Sequence, residues 1–326
     1  MVVQKEFDLT VGLSEDKEAV VSYSDLTPEY STISLNLVID RRRYLQALLN
    51  KKLLWSAPCW VGVLTISVGY GYFKMADYFR YVPLQELISN NNFRYELIST
   101  MILAGMVFSV FFALSALKTE YLRADADKLV DESEKAFGFD LKAYSNLPVN
   151  TVDEYKALPK SKKNDKELEL LENGKNSQIV IYRETPIAVI SLVVDKDPTQ
   201  TNDSSYIIRI QSFGIRRVYV KSGIMKELLI WALFRTRAIV EDLNASEVLV
   251  LCDLYSFEKD VIPAFQELTF KKINSSPLKD WLLGGIYGVT KDTWAIGLLA
   301  DVQDGSSKEA EPIDSKATDG GLRKRN

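Results

Sequence analysis

The side chains that most often carry enzyme chemistry are scarce in this sequence. Its 326 residues contain no His and only two Cys, Cys59 and Cys252. Without His, a Ser–His or Cys–His nucleophile, a His-ligated metal site and an imidazole proton shuttle are all excluded. The two Cys lie too far apart in the chain for a Cys-rich zinc site, so we expect two buried apolar side chains. The sequence therefore predicts no catalytic residue of these kinds and no metal site.

Composition excludes further classes. Apolar residues make up 47 % and charged residues 26 % of the chain, which are ordinary values for a globular protein. The formal net charge is −4, and an acidic chain offers no general attraction for phosphate backbones. We therefore expect no nucleic-acid partner.

The last part of the chain alternates between strand and helix patterns. Residues 183–186 read as the turn of a hairpin, and a helix is predicted over Ser222–Asp242 with another over Asp260–Leu268. The predicted strands are Gln178–Tyr182, Ile187–Val194, Ser205–Phe213, Glu247–Leu251, Phe270–Ile273 and Trp294–Leu299. This order predicts an α+β domain over residues 176–300, with a mixed sheet and flanking helices.

Two stretches of this domain resemble the GNAT-type acyl-CoA N-acyltransferases. The first is Phe213–Leu233 (FGIRRVYVKSGIMKELLIWAL), a strand that leads through a glycine-containing loop into a helix. The second is Val261–Lys272 (VIPAFQELTFKK), which is similar to the family's helix-to-strand element. The resemblance implies a coenzyme A pyrophosphate held by backbone N–H groups of the loop and by the helix N-terminus.

The departures from that family pattern remove its chemistry. Val220 stands where the family has Arg or Gln, Gly223 is kept, and Met225 replaces a small residue. Phe265 stands where the family often has a Tyr general acid, and Phe has no proton to donate. Thr269 replaces a Gly. We therefore expect a degenerate cofactor loop, no bound cofactor and no catalysis.

Two long apolar runs precede this domain. Leu53–Phe73 and Leu97–Leu117 each have 21 residues and no charge, and a helix of that length spans roughly 31 Å, the thickness of a bilayer core. The alternative is a pair of buried core helices. The aromatic residues at the ends of the runs favour a transmembrane hairpin, which we place within residues 41–117.

The distribution of Lys and Arg predicts how the hairpin is oriented. The loop between the runs contains three cations, whereas five precede the first run: Arg41, Arg42, Arg43, Lys51 and Lys52. The positive-inside rule then places both termini in the cytosol. The sequons at Asn202, Asn244 and Asn274 follow the hairpin and are therefore expected to carry no glycan.

Three surfaces are candidates for partner contact. Gly105, Ser109 and Ala113 form a stripe of small residues on the second span, which could pack either against the first span or against a helix of a partner. On the predicted helix Ser222–Asp242 the apolar residues lie all round. That helix is either buried on two sides or exposes Trp231 to a partner or the membrane surface. Arg217 belongs to a basic cluster beside it.

The remaining segments complete the domain organisation. Residues 1–40 read as an acidic cytosolic tail, because they carry several carboxylates and no early apolar run. Residues 118–175 read as a juxtamembrane helix and a linker, with residues 158–175 forming a polar linker or helix. Residues 301–326 lack aromatic side chains and are predicted to be a disordered tail.

The complete architecture resembles the fungal endoplasmic-reticulum packaging chaperones of the high-affinity inorganic phosphate transporter. The resemblance implies a non-enzymatic, multi-pass protein of the endoplasmic-reticulum membrane. It also implies a polytopic transporter as client and vesicle-coat machinery as a second partner, with a role in client folding or packaging.

Two other functions remain open. A membrane-anchored acetyl-CoA-dependent N-acetyltransferase would retain coenzyme binding, so saturable binding of acetyl-CoA would favour it. A lipid-binding tether would use the basic cluster that includes Arg217.

Overall fold

The computed structural model describes residues 20–81, 83, 86, 89–159, 164–195, 205–243 and 247–299. Several sequence predictions lie outside these residues: the tail at 301–326, the first part of the acidic tail, and the sequons at Asn202 and Asn244. The strands are β1 (Val21–Asp25), β2 (Ser177–Tyr182), β3 (Thr185–Asp195), β4 (Ser205–Ile215), β5 (Glu247–Tyr255), β6 (Lys271–Pro277) and β7 (Thr290–Leu299). The helices are α1 (Ser31–Leu54), α2 (Ala57–Tyr81), α3 (Asn91–Lys128), α4 (Glu134–Phe137), α5 (Leu141–Ser145), α6 (Val152–Ala157), α7 (Asp165–Gly174), α8 (Ile224–Leu243) and α9 (Ile262–Glu267).

The strands form one seven-stranded mixed sheet in the order β1-β2-β3-β4-β5-β7-β6. Neighbouring strands run antiparallel except β4 and β5, which are parallel. The predicted α+β class is confirmed. The predicted hairpin between β2 and β3 turns at Arg183 and Glu184, whose φ angles are 49° and 60°; positive φ at both central residues suits the right-handed twist of a two-residue hairpin.

The sheet separates two layers of helices. Ala188 and Ile190 of β3 face a core that includes Leu228 of α8, whereas Val189 faces a core that includes Leu37 of α1. Since successive residues of a strand point to opposite faces, α1 and α8 lie on opposite sides of the sheet. The buried residues of α8 follow helical spacing along one face: Ile224, Met225, Leu228, Leu229, Ala232, Thr236, Ile239 and Val240.

One predicted boundary is wrong. Residues 21–40 do not belong to a tail, because β1 pairs with β2 and α1 begins at Ser31. After α3, residues up to Gly174 include short helices that cover the α1 face of the sheet, with Tyr144 and Tyr155 each 1 % exposed. These helices contain few apolar residues among many charged ones, so composition alone does not distinguish them from a linker.

Helix α1 leads from the sheet to α2, and α2 and α3 form a hairpin. Among the described residues, α3 is long and apolar enough to cross a membrane, and α1 with α2 passes the same test as a pair bent by 45°. The helix of the first predicted span begins at Ala57 and not at Leu53, because Pro58 lacks an N–H group and its ring would clash with the preceding turn. A second helix, α3, then runs back along α2 from Asn91.

Candidate functional site

The parallel strands β4 and β5 separate part-way along the sheet. Their pairing ends at Ile210 and Cys252. Beyond that point Phe213 continues beside β3, whereas Tyr255 continues beside β7. The divergence opens a fork on the α1 side of the sheet.

Helix α1 closes this fork at close range. A Cβ atom at Gly214 of β4 would lie 2.5 Å from the carbonyl carbon and oxygen of Leu37. Real Cβ atoms do not approach backbone so closely, so the absence of a side chain at position 214 is what allows strand and helix backbones to touch. Helix α1 is therefore seated directly on the strand.

Arg41 projects from α1 into the fork. Its guanidinium forms an ion pair with Glu258 and lies 3.5 Å from the centre of the Phe213 ring. The Glu258 side chain is 2 % exposed and also accepts a hydrogen bond from the backbone N–H of Tyr255 at 2.8 Å. Burial lowers the pKa of Arg41, and the charge of Glu258 opposes that change. An arginine so paired stays charged, and the fork is closed by a buried ion pair.

Two cavities flank Arg41. The loop cavity, of about 390 Å³, extends toward the loop before α8; its lining includes Tyr44, Arg217, Val220 and Met225. The strand cavity, of about 310 Å³, extends along the separating strands; its lining includes Arg209, Ser212, Cys252 and Lys291.

The predicted cofactor positions are only partly brought together. Val220 and Met225 both line the loop cavity. Met225 is 3 % exposed and belongs to the core under α8, so its side chain fills space that a small residue would leave open. Gly223 adopts φ +87° with nothing within 4 Å of a Cβ position, so it serves the turn into α8. Met225 therefore fills the position where the resemblance implies a small residue beside the coenzyme.

Two predicted positions, Phe265 and Cys252, supply neither a proton nor a nucleophile. Phe265 is fully buried, with ring centres 5.1 Å from Phe270 and 6.4 Å from Trp294. Burial raises the pKa of the Cys252 thiol, so no thiolate forms there at neutral pH. Among the described residues, no group of three or more His, Cys, Asp or Glu could hold a metal ion.

Arg217 and Trp231 lie in different surroundings. The Arg217 guanidinium is 5.1 Å from the ring centre of Tyr44 on α1. Trp231 is partly buried against the core under α8, on the opposite face of the sheet. Phe234 is 63 % exposed on the same helix, so α8 buries one face rather than two.

Helices α2 and α3 contact each other along one face of each helix. The Trp60 and Phe108 rings lie 5.9 Å apart. A Cβ atom at Gly62 would come within 2.9 Å of the Phe111 ring, so the small residue of this contact lies on α2. Tyr78 and Phe93 meet at the far end, with ring centres 5.9 Å apart.

The predicted stripe of small residues lies on the other face of α3. Gly105, Ser109 and Ala113 are all exposed, and nothing lies within 4 Å of a Cβ position at Gly105. The Ser109 hydroxyl donates to the Gly105 carbonyl at 2.9 Å, so it needs no outside partner. The neighbouring apolar side chains are also more than half exposed: Ile98, Ile102, Met106, Val110 and Phe112. The stripe does not pack against α2.

Sequence reasoning missed the role of Arg41, which it counted only as a cation before a membrane span. The sequence does contain a pattern that indicates this buried charge. Leu37, Arg41 and Leu45 follow one another at four-residue spacing on α1, and a charge within an apolar helical stripe indicates a buried ion pair. Glu258, 217 residues away, has no comparable signal.

The family comparison decides what kind of protein carries this architecture. The sequence pattern of the family described as inorganic phosphate transporter chaperone Pho86 matches residues 3–298. The chain belongs to the Pho86 family. The family predicted from the architecture is confirmed, and a search of curated proteins finds no match.

Solved structures similar to this Pho86-family chain are GNAT acetyltransferases, in agreement with the predicted resemblance. One from Streptococcus pneumoniae is 11 % identical, covers 43 % of this chain and 78 % of its own, and has a TM-score of 0.29. Arabidopsis thaliana NAA60 is 15 % identical over 43 % of this chain and 84 % of its own, with a TM-score of 0.30. The NatC complex is 10 % identical over 53 % and 90 %, also with a TM-score of 0.30. Such values carry no argument about activity.

Proposed function

We propose that this chain is a non-enzymatic accessory protein of the endoplasmic-reticulum membrane. In this proposal α2 and α3 form a transmembrane hairpin with both termini in the cytosol. The hairpin holds a polytopic client, a high-affinity phosphate transporter, and supports its folding or its packaging into vesicles, where coat machinery is the second partner. Membership of the Pho86 family supports a phosphate transporter as client.

The observation that carries the proposal is the uncovered apolar surface of the hairpin. The large apolar side chains that are more than half exposed are concentrated on α2 and α3, and include Val61, Leu64, Val68, Ile102, Met106 and Val110. An exposed apolar surface of this extent marks a membrane or protein contact. The span of α3 from Leu97 to Leu117 has no ionisable residue, which argues against a transport path of its own.

The closed fork supports a role without catalysis. Arg41, Glu258 and the backbone of Leu37 occupy the opening between β4 and β5, and Phe265 cannot act as an acid. A general acid contributes about 10²–10⁴-fold to a rate. We expect no acetyl transfer by the purified protein. Acetyl transfer that disappears in a Gly223→Trp variant would contradict this and favour the acetyltransferase alternative.

The stripe on α3 is the proposed client contact. In lipid, helices associate by close contact between small residues, so a bulky side chain on the stripe prevents approach. We expect the Gly105→Leu, Ser109→Leu double variant to lose client crosslinking in native membranes and to retain the client in the endoplasmic reticulum, while its own level stays normal.

A matched control lies on the outward face of α2. Thr65 and Gly69 have the same spacing and are also exposed, with nothing within 4 Å of a Cβ position at Gly69. The Thr65→Leu, Gly69→Leu variant should retain client crosslinking. If the α3 double variant exports its client normally, the stripe is not the contact, and the surface around Arg217 and Trp231 becomes the next candidate.

The proposed topology has its own test. Asn274 begins an Asn-Ser-Ser sequon on the exposed edge strand β6. A lumenal sheet domain would expose it to glycosylation, whereas a cytosolic one would leave it bare. We expect no mass change when the full-length protein from cells is treated with a deglycosylating enzyme, and a change would overturn the orientation.

A further inference from the structure

One surface segment of the sheet domain lies against the base of the hairpin. The segment, residues 280–287, contains one π-helical turn at Trp281–Ile286. Asp280 caps the turn by accepting hydrogen bonds from the backbone N–H groups of Leu282 at 2.9 Å and Leu283 at 3.3 Å. A Cβ atom at Gly284 would lie 2.2 Å from the carbonyl oxygen of Leu278, so the turn folds back tightly on the chain before it. The segment is therefore a built element.

Its contacts place it at the end of both apolar runs. The carboxylate of Asp280 pairs at 2.9 Å with Lys118, the first charged residue after the run Leu97–Leu117. Tyr287 packs against a cluster that contains Leu53, the first residue of the run Leu53–Phe73. The segment thus lies beside the first cation that follows the second run and beside the first residue of the first run.

The inward side of the segment is apolar and buried. Leu283 is 1 % exposed and belongs to a cluster with Leu49 and Leu53 of α1 and Leu122 of α3. The outward side is apolar and uncovered, because Trp281 is 72 % and Ile286 is 47 % exposed. Exposure of these apolar side chains to water is unfavourable in free energy.

We propose that residues 280–287 contact the membrane, with Trp281 and Ile286 entering the boundary between headgroups and acyl chains of the cytosolic leaflet. The proposal rests on the membrane placement of the hairpin proposed above. Trp favours this boundary because its ring is apolar and its N–H is polar. Trp55, 73 % exposed at the bend between α1 and α2, is two residues from Leu53, which belongs to the same cluster as Leu283.

Such a contact has a mechanical consequence. The hairpin alone is joined to the sheet domain through α1 and α3. A third attachment through residues 280–287 restricts how far the sheet domain can tilt relative to the bilayer. The sheet domain is then held beside the hairpin, where it meets cytosolic loops of a client bound to the spans.

Depth-resolved quenching in vesicles tests the contact. The full chain is reconstituted into phosphatidylcholine vesicles with a fluorophore on Trp281→Cys, and lipids are used that carry a spin label either near the headgroup or near the acyl-chain end. Both native Cys are buried, so the unsubstituted protein serves as the labelling control. We expect the label at position 281 to lie about 5–10 Å below the headgroup surface and to be quenched more strongly by the shallow lipid.

Two further labels separate the possible failures. Val110→Cys, in the middle of the second span, should be quenched by the deep lipid, and Phe234→Cys, exposed on α8, by neither lipid. If position 110 responds and position 281 does not, the membrane contact is wrong while the hairpin stands. If position 110 does not respond, the hairpin itself is wrong.

Two more measurements, of intrinsic fluorescence and of access to an aqueous quencher, can contradict the proposal. With brominated lipids, intrinsic fluorescence should lose part of its quenchable fraction in Trp281→Phe, and an unchanged fraction would contradict the contact without relying on a label. The label at position 281 should also be shielded from an aqueous quencher without any client. Shielding that arises only when a phosphate transporter is reconstituted would assign the segment to a protein partner and overturn the lipid contact.

Discussion

Glycine serves opposite purposes in the fork and on the hairpin. At Gly214 the missing side chain is replaced by the backbone of Leu37, 2.5 Å from the Cβ position, whereas at Gly105 nothing lies within 4 Å. The first glycine closes an opening between strands, and the second leaves a helix face uncovered. The sheet domain is therefore closed at the fork, whereas the open surface lies on α2 and α3.

The largest effect is expected from removing one charge in the fork. Arg41→Met leaves the carboxylate of Glu258 buried and unpaired, and breaking a buried pair in this way costs about 3–5 kcal/mol. We expect the free energy of unfolding of the sheet domain to fall by that amount, measured by denaturant titration of the full chain in detergent.

Two variants check this assignment. Arg43→Met breaks the half-exposed pair with Asp127 at 2.9 Å and should cost at most about 1 kcal/mol, because solvent screens it. Adding Glu258→Leu to Arg41→Met should restore most of the loss, since no unpaired charge remains. Equal losses in Arg41→Met and Arg43→Met would mean that the fork is open to water.

The same substitution at the two glycines should separate the two regions directly. Gly214→Ala forces α1 away from β4 and should destabilise the domain by about 1–3 kcal/mol, the usual cost of overfilling a packed site. Gly105→Ala fills open space on a helix and should leave unfolding unchanged or raise stability by up to about 1 kcal/mol. A neutral Gly214→Ala, measured in the same titration, would show that α1 is not seated on the strand.

A pH dependence is expected from Asp253, on β5 at the strand cavity. Burial raises the pKa of Asp253, but hydrogen bonds from Lys291 and Thr293 and the charge of Arg209 outweigh it, and the net pKa is lowered. Its folded pKa is thus below its unfolded value of about 3.9. The stabilisation is complete above the unfolded pKa and is lost as the pH falls through the folded pKa.

The Asp253→Asn variant isolates this contribution. It should be less stable than the unsubstituted protein at pH 7 by about 1–3 kcal/mol, the value of a hydrogen-bonded charge, and the difference should shrink below about pH 4. Unfolding curves from pH 3 to 7 measure both quantities. A constant difference at all pH values would show that the carboxylate contributes only through its shape.

The smallest effect has the opposite sign. Thr269, before β6, adopts φ +63°, a left-handed conformation that is costly for a β-branched residue. Thr269→Gly should raise the free energy of unfolding by about 1 kcal/mol, less the entropy that glycine adds to the unfolded chain. Thr269→Ala retains a Cβ atom and should give less than Thr269→Gly. If Thr269→Gly and Thr269→Ala raise the free energy of unfolding equally, the cost lies in the Thr side chain and not in the left-handed backbone conformation.

Sequence reasoning succeeded where the pattern is local. The strand from Ser205 and the helix ending near Leu243 were predicted to within a few residues, because alternation and helical spacing repeat within each element. It failed for β1, a short exposed strand of five residues, because the alternation of Val21 and Tyr23 with Ser22 and Ser24 includes only two apolar positions. The pairing of β1 with β2 joins residues more than 150 positions apart, for example Val21 with Tyr182.

The candidate site was predictable in part. The residues Val220, Gly223 and Met225 were identified from their order along the chain, and Val220 and Met225 do line a common cavity. That Met225 fills the core under α8 could not be predicted, since this depends on how far the helix rotates over the sheet. For the stripe from Gly105 to Ala113, both directions of packing were open, and only the position of α2 excluded one of them.

The sequence by itself determined the apolar character of α2 and α3, the alternation of strands and helices along residues 176–300, and the absence of His from the chain. Each of these features depends on residues that are close together in the sequence. The tertiary structure alone decided that Arg41 meets Glu258 across 217 residues, that the stripe on α3 faces outward, and that Trp281 lies beside the base of the hairpin. The physical reason is that such contacts depend on which face of one element packs against another. That packing is set by how all the elements together bury their apolar surfaces.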